Sequence, residues 1–258
     1  MDILYITYDG LLDPLGQSQI IPYLVALAKE FRFHVVSFEK SSRTMTEVAK
    51  LRAQLSTHGI SWYPLRYHKR LSVLATLYDV IQGIRVARKI ISRTQIKIVH
   101  ARSYVAALIA LPVRYGKKFL FDMRGFWPEE RVEGGLWRKE SLVFHLAKYF
   151  ERRFFHAADA VIVLTRAAQA ILKQQYHIRI PIWVIPTCVD TMHFSPRPKD
   201  RSLIRQFHLE KKFVLAYSGS LGTWYRSSEL IDFFQVLCAQ SPAHLLLIVN
   251  DLLKAKML

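Results

Sequence analysis

Short runs of β-branched and aromatic residues alternate along this chain with longer amphipathic segments. Such alternation is typical of strand–helix–strand units, which assemble into a parallel sheet. In the first unit, residues 3–8 are predicted as a buried strand and residues 9–17 as a turn rich in Gly, Asp and Pro. Ser18 is predicted to cap a helix that runs to Glu30.

The same pattern predicts six further strands, at residues 33–38, 60–65, 96–100, 118–122, 160–164 and 182–185. Helices are predicted between them, at residues 44–57, 72–93, 103–114, 138–157 and 166–175. Seven strands joined by helices indicate an α/β fold with a doubly wound, parallel, Rossmann-like sheet. Ligands of such sheets bind beyond the carboxyl ends of the strands.

The pattern breaks at residues 186–200, where three prolines and alternating polar residues indicate an exposed linker. It then restarts with a strand, a turn, a helix and a strand, at residues 213–218, 219–224, 227–239 and 244–249. One unit of this size cannot bury both faces of its sheet. The predicted organisation is therefore a first domain, a linker and an incomplete second domain, at residues 1–195, 196–211 and 212–258.

The chain is strongly basic, with 37 Lys and Arg against 20 Asp and Glu and a net charge of +17. This excess favours polyanions, anionic lipid surfaces or phosphorylated substrates as partners. Nucleic acid is not expected, because no zinc finger, RNP motif or recognition-helix pattern is present. The two cysteines form no CxxC pair and the histidines no HxxxH or HxH pair, so neither a disulfide scaffold nor a metal site is predicted.

The sequence favours a cytoplasmic protein, because two thiols suit a reducing compartment and the first residues do not resemble a signal peptide. The longest uncharged apolar run, residues 105–113, is about half of what a spanning helix requires. Basic residues recur at 66–70, 85–93 and 114–118. They predict either peripheral contact with anionic lipid at the inner face of a membrane or simply solvated helix faces.

The segment that follows the fifth predicted strand combines dense charge with large aromatic side chains. Arg124 can bind a phosphate or offset charge on a leaving group. Glu129 and Glu130 can hold sugar hydroxyl groups or act as a base, and Trp127 offers an apolar platform for a sugar face. Asp122 is a further candidate substrate-binding residue. The competing interpretation is an internal salt-bridge network of Asp122, Arg124, Glu129 and Arg131 that orders a long loop.

Two other strand ends carry candidate residues. Arg102 follows the fourth strand, and its guanidinium fork suits phosphate or carboxylate. The turn at Gly16, Gln17 and Ser18 precedes the first helix, where backbone N–H groups can converge on an anion or on hydroxyls. An ordinary strand-to-helix turn is the equally weighted alternative. His100 is better explained as a strand-end histidine.

Several segments together resemble the family 4 glycosyltransferases. They are residues 99–103 (VHARS), 122–127 (DMRGFW), 158–165 (ADAVIVLT), 184–190 (VIPTCVD) with Phe194, and 217–222 (YSGSLG), preceded by the turn at Gly16. The resemblance implies retaining enzymes of the GT-B fold, in which two Rossmann-like domains face each other across a cleft. It also implies that the N-terminal domain binds the acceptor and the C-terminal domain the nucleotide sugar.

The resemblance assigns roles to individual residues. It places Gly16 near the donor diphosphate, and Gly219, Ser220 and Gly222 on the donor side. Arg124 and Arg102 are the predicted catalytic residues, although many members carry a histidine where Arg124 stands and a second glycine where Gln17 stands. The basic pair and E-x7-E motif that the family carries in its donor domain are not found in residues 212–258.

The leading hypothesis is transfer of a hexosyl group from a UDP- or GDP-linked sugar, without another cofactor, to a lipid-linked or polysaccharide-precursor acceptor. Without the E-x7-E motif, the chain by itself is expected to be inactive. The alternative is a non-catalytic, truncated remnant that binds an acceptor or a membrane surface. A different Rossmann-type nucleotide enzyme is disfavoured, because no GxGxxG follows the first strand.

Overall fold

The computed structural model describes residues 1–40, 42–68, 72–221 and 225–249. The chain divides into two compact units. The first contains Met1–Glu130 and Lys139–Val189, and the second contains Arg131–Arg138 and Asp190–Leu258.

The first unit contains one parallel sheet of seven strands in the order β3-β2-β1-β4-β5-β6-β7. The strands are β1 (Asp2–Thr7), β2 (Arg32–Glu39), β3 (Ser61–Arg66), β4 (Ile96–Arg102), β5 (Lys118–Asp122), β6 (Ala160–Val163) and β7 (Ile182–Val184). The predicted parallel Rossmann-like sheet is confirmed. Its strand order reverses between β1 and β4, which makes the carboxyl ends of these two strands the expected ligand site.

Helices cover both faces of this sheet. They are α1 (Ile21–Leu27), α2 (Met45–Thr57), α3 (Ser72–Ile91), α4 (Tyr104–Ala110), α5 (Trp127–Glu133), α6 (Leu142–Ala157) and α7 (Arg166–Gln174). Leu24 of α1 and Leu51 of α2 belong to the buried cluster on one face, whereas Ala87 of α3, Ala107 of α4 and Phe154 of α6 belong to the cluster on the other. Both faces are buried, which explains why the central strands are continuous apolar runs.

Helix starts follow the capping residues. Thr44 forms a capping box with Glu47 at α2, and Thr165 caps α7. The predicted helix at 138–157 begins only at Leu142, because Ser141 accepts a hydrogen bond from the Phe144 N–H and caps it there. Helix α5 was not predicted.

The prediction that Ser18 caps the first helix is wrong. A π-helical turn at Gly16–Ile20 precedes α1, and Ser18 lies inside it. The Ser18 hydroxyl donates to the carbonyl oxygen of Pro14 at 2.7 Å instead of accepting from a helix N–H.

The second unit contains a two-stranded parallel sheet, formed by β8 (Phe213–Ser218) and β9 (Ala243–Ile248), with α9 (Ser227–Gln240) between them in sequence. This confirms the predicted strand–helix–strand unit. A short helix, α8 (Arg201–Gln206), lies within the predicted linker, because Asp200 caps it by accepting from the Ser202 N–H at 2.7 Å. Within the described part of the chain, no helix is long and apolar enough to cross a membrane.

Candidate functional site

A polar cluster occupies the carboxyl edge of the sheet where the strand order reverses. Arg102 ends β4 and pairs in register with Thr7 at the end of β1 and with Asp122 at the end of β5. The polar side chains that follow these three strands therefore meet at one edge, although they are far apart in sequence.

Gln19 joins two arginines in this cluster. Its side-chain oxygen accepts from Nη2 of Arg124 at 2.9 Å and from Nη2 of Arg102 at 3.3 Å. Arg102 also donates to Asp9 through Nη1. Gln19 lies in the π-helical turn, three residues after Gly16. The structure thus brings the first turn, Arg102 and Arg124 together, as expected for residues of one site.

The two arginines differ in what they can do. The Arg102 side chain is only 5% exposed and its charge is offset by Asp9. Arg124 is 20% exposed, and the Asp122 carboxylate lies 3.9 Å from its Nη1. Arg124 can therefore meet an incoming anion, whereas Arg102 holds Gln19 and Asp9 in place.

Asp122 and His100 add buried hydrogen-bonding capacity beside the arginines. His100 Nε2 lies 3.7 Å from Asp122 Oδ2, and neither this nitrogen nor Asp122 Oδ1 has a hydrogen-bond partner among the described residues. Tyr5 packs edge-on against the His100 ring, with centroids 4.6 Å apart. Burial, and then the Asp122 carboxylate, raise the pKa of Tyr5 far above its ordinary value, so its hydroxyl stays protonated.

The backbone is strained where two strands enter this edge. Ser103, directly after β4, has φ +73° and ψ 177°, and Arg124, two residues after β5, has φ +64°. Such values cost a non-glycine residue about 1–3 kcal/mol. The Ser103 N–H donates to the Asp122 carbonyl at 2.7 Å, which holds the two strand ends together. Strain of this kind clusters at functional sites.

The turn after β1 is built around a carboxylate that the sequence analysis missed. Glu39, buried at the end of β2, accepts from the N–H groups of Leu11 at 2.7 Å and Leu12 at 3.1 Å. Gly16 is needed for internal packing, because a Cβ there would lie 2.2 Å from the Gly10 carbonyl oxygen and 2.5 Å from the Leu11 Cα. The close approach made by Gly16 is therefore to its own loop.

The other predicted substrate-binding residues of this turn also bond within it. Gln17 donates from Nε2 to the Leu11 carbonyl at 2.7 Å, as Ser18 does to Pro14. Both side chains are exposed. Their predicted role in binding substrate remains a prediction.

Glu129, on α5, belongs to an ionic cluster formed around Lys148 and the buried Glu151 of α6. Lys148 Nζ lies 2.6 Å from Glu129 Oε1, contacts Glu151 and donates to the Tyr176 hydroxyl at 2.5 Å. Tyr104 donates to Glu151 at 2.6 Å. Burial opposes the charge of Lys148, but hydrogen bonds to Glu129 and Glu151 raise its pKa above the ordinary value. Glu129 thus pairs with Lys148, a residue outside the alternative network of Asp122, Arg124, Glu129 and Arg131.

Trp127 packs inward in the same region. Its ring lies 5.7 Å from that of Tyr104, and it borders the main core cluster. The Tyr104 hydroxyl is also 3.2 Å from the Gly125 carbonyl oxygen. Tyr104 and the Lys148 cluster therefore pack against the segment that contains Arg124 and hold it in place.

The predicted donor-binding residues lie in the second unit. Gly219 follows β8, and its N–H donates to the Ile248 carbonyl at 3.2 Å. The Ser220 carbonyl accepts from the Tyr217 hydroxyl at 2.5 Å. Gly222 lies outside the described residues, as do Lys69 and Arg70 of the basic run at 66–70.

Three functional or supporting residues escaped the sequence analysis: Gln19, Glu39 and Lys148. Glu39 carried a usable signal, because an acid that ends an apolar strand at the ligand edge needs a partner. The signal for Gln19 was its helical spacing from Gly16. Lys148 had no local signal, since its partners are distant in sequence or ordinary helix neighbours.

A doubly wound parallel sheet with arginines and unsatisfied polar groups at its switch point defines a Rossmann-like α/β protein, and sheets of this class bind ligands at that edge. The family model for Glycosyltransferase Family 4 matches residues 20–193, which is more than half of the chain. The chain belongs to glycosyltransferase family 4. A search of curated protein sequences found no match.

Solved structures share the fold at low sequence identity. A glycosyltransferase from Rickettsia africae ESF-5 aligns with TM-score 0.62 and 14% identity over 99% of this chain and 62% of its own. Sucrose-phosphate synthase from Thermosynechococcus elongatus gives TM-score 0.64 and 13% identity, with coverage of 95% and 61%. UGT2 of Phytolacca americana, complexed with UDP-2fluoro-glucose and pterostilbene, gives TM-score 0.59 and 8% identity over 97% of this chain and 71% of its own. The chain thus spans about three fifths of the first and second of these proteins, and the α/β fold matches that of GT-B glycosyltransferases.

Proposed function

We propose that this chain takes part in glycosyl transfer from a nucleotide sugar, with Arg124 contacting the donor phosphates. The observation that carries the proposal is the position of Arg124: it is partly exposed, only loosely paired with Asp122, and stands at the carboxyl edge where the strand order reverses. Membership of family 4 supports the reaction class. The UGT2 complex with UDP-2fluoro-glucose supports a nucleotide sugar as partner.

The residues of the edge suggest a division of work. The Arg124 guanidinium offsets the negative charge that develops on a departing nucleoside diphosphate, which is electrostatic catalysis. Arg102 fixes Gln19, and Gln19 orients Arg124. The unsatisfied atoms of Asp122 and His100 supply hydrogen bonds to substrate hydroxyl groups. All of these are positioning or charge contacts, so no cofactor beyond the UDP- or GDP-linked sugar is required.

The finer parts of the proposal come from the family and the charge. We extend it to retaining transfer of a hexosyl group, with the first unit binding the acceptor and Gly219 and Ser220 on the donor side. The net charge of +17 favours an acceptor linked to an anionic lipid or to a polysaccharide precursor. A cytoplasmic protein at the inner face of a membrane would meet both substrates.

The test is a panel of UDP- and GDP-sugars incubated with the chain and with lipid-linked or saccharide acceptors. Release of nucleoside diphosphate and mass spectrometry of the acceptor report transfer, and the anomeric configuration of the product reports retention. Because the chain by itself is expected to be inactive, donor binding is the readout for variants: Arg124→Gln should weaken it, whereas Arg32→Gln, exposed at the opposite end of the sheet, should not. Absence of both binding and release for every donor would refute the proposal. Acceptor or membrane binding without donor binding would favour the non-catalytic alternative.

A further inference from the structure

Helices α3 and α6 carry unusually apolar outward faces. Nine large apolar side chains on them are at least 40% exposed: Val73, Leu74, Leu77, Tyr78 and Ile81 on α3, and Leu142, Val143, Leu146 and Tyr149 on α6. On each helix they recur at helical spacing, so they form one stripe. Large exposed apolar patches mark interaction surfaces.

The second half of each helix is basic on the same outward side. Arg85, Arg88 and Lys89 are exposed on α3, and Arg152 and Arg153 on α6. Each helix has a single acidic residue, Asp79 on α3 and Glu151 on α6, and both are buried, at 1% and 0% exposure. The outward faces of both helices therefore present apolar and basic groups with no acidic side chain among them.

The two helices lie on the same face of the sheet and point the same way. Helix α4 packs against both α3 and α6, and none of its own residues is exposed. Each helix runs back from the carboxyl edge to the amino end of the next parallel strand, β4 for α3 and β6 for α6. The apolar halves of both are thus toward the carboxyl edge, where the candidate site lies, and the basic halves toward the amino edge.

We infer that the outward faces of α3 and α6 form a docking surface for an anionic phospholipid bilayer. The apolar halves enter the boundary between headgroups and acyl chains, and the basic halves contact lipid phosphates, as interfacial amphipathic helices do. The combination of apolar and basic side chains favours this occupant, because an anionic bilayer supplies both an apolar layer and negatively charged phosphates. The inference does not depend on glycosyl transfer.

The experiment is co-sedimentation of the chain with vesicles of phosphatidylcholine alone or with about 30% phosphatidylglycerol, without any sugar donor. Binding should require the anionic lipid and weaken as salt rises, because screening removes the electrostatic part. Arg85→Gln with Arg88→Gln should weaken binding about 5-fold per charge removed. Lys50→Gln with Arg52→Gln, exposed on α2 across the sheet, is the matched control and should not.

The apolar part is tested separately. Leu74→Ser with Leu77→Ser, or Leu142→Ser with Leu146→Ser, should each weaken binding at least about tenfold, because each pair loses buried apolar area. Met45→Ser, at an exposed position of α2, should leave vesicle binding unchanged. Circular dichroism confirms that each variant is folded. Equal binding to neutral vesicles, no effect of the leucine pairs, or sedimentation of a dimer that these pairs dissociate would overturn the inference. A variant that loses transferase activity but binds vesicles as described would leave the inference intact.

Discussion

Replacing Lys148 with methionine tests the buried ionic cluster that supports the Arg124 segment. The substitution keeps most of the side-chain volume but removes the ammonium group from Glu129, Glu151 and Tyr176. Glu151 is fully buried, and Tyr104 would remain as its hydrogen-bond donor. Removing one partner of a buried ion pair costs about 3–5 kcal/mol. Because the Lys148 side chain is 18% exposed, we expect the lower end, about 3 kcal/mol.

The assay is urea denaturation followed by tryptophan fluorescence and circular dichroism. A loss of about 3 kcal/mol lowers the midpoint by roughly 1–3 M urea for a typical denaturant slope of 1–3 kcal/mol/M. Adding Glu151→Gln to the Lys148→Met variant should recover most of the loss, since the amide still accepts from Tyr104 without a charge. Lys118→Met is the matched control. It removes a pair with Asp159 in which the lysine is 74% exposed, and such pairs contribute less than about 1 kcal/mol.

The reasoning is refuted if Lys148→Met unfolds within about 1 kcal/mol of the wild-type protein, or if Glu151→Gln makes the variant worse. Either result would mean that Glu151 is not a buried carboxylate held by Lys148.

Three further predictions concern strain, packing and pH. Ser103→Gly should raise the melting temperature by a few degrees, because relief of strain at φ +73° (about 1–3 kcal/mol) exceeds the entropy cost of glycine (about 0.5–1 kcal/mol); thermal unfolding decides, and a lower melting temperature counts against it. Gly16→Ala should destabilise by about 1–3 kcal/mol, since the added methyl meets the Gly10 carbonyl at 2.2 Å; denaturation equal to wild type would show that the turn adapts freely. Burial raises the pKa of Asp159, but its hydrogen bonds, including the one from Lys118, and nearby positive charges together lower it more. The pKa of Asp159 therefore lies below its ordinary value of 3.8. Its stabilisation is therefore present above that value and lost as pH falls through the lowered folded-state pKa, so Asp159→Asn should flatten the loss of stability on acidification, measured by denaturation between about pH 5 and 2.

The sheet, and the edge at which the candidate residues lie, followed from local sequence pattern. Apolar runs ended by turn residues identify β1, β4 and β5, and parallel strands align their carboxyl ends. Arg102 and Arg124 were therefore predicted at the correct edge from their positions after strands, without knowledge of any contact.

The arrangement within the site could not be read in this way. A cap at Ser18 is the usual start of a helix, but Glu39, 21 residues later, holds Leu11 and Leu12 and the chain turns earlier. Gln19 then reaches arginines 83 and 105 residues away. Such partners depend on tertiary packing, which overrides local propensity.

The most direct test of the central claim is an equilibrium titration of the chain with UDP and GDP, comparing wild type with Arg124→Gln. If Arg124 binds the donor phosphates, losing its charged hydrogen bonds should weaken binding about 10- to 100-fold while the melting temperature is retained. Arg32→Gln should bind as wild type does. Equal affinity of the Arg124→Gln and wild-type proteins for both nucleotides would contradict the account.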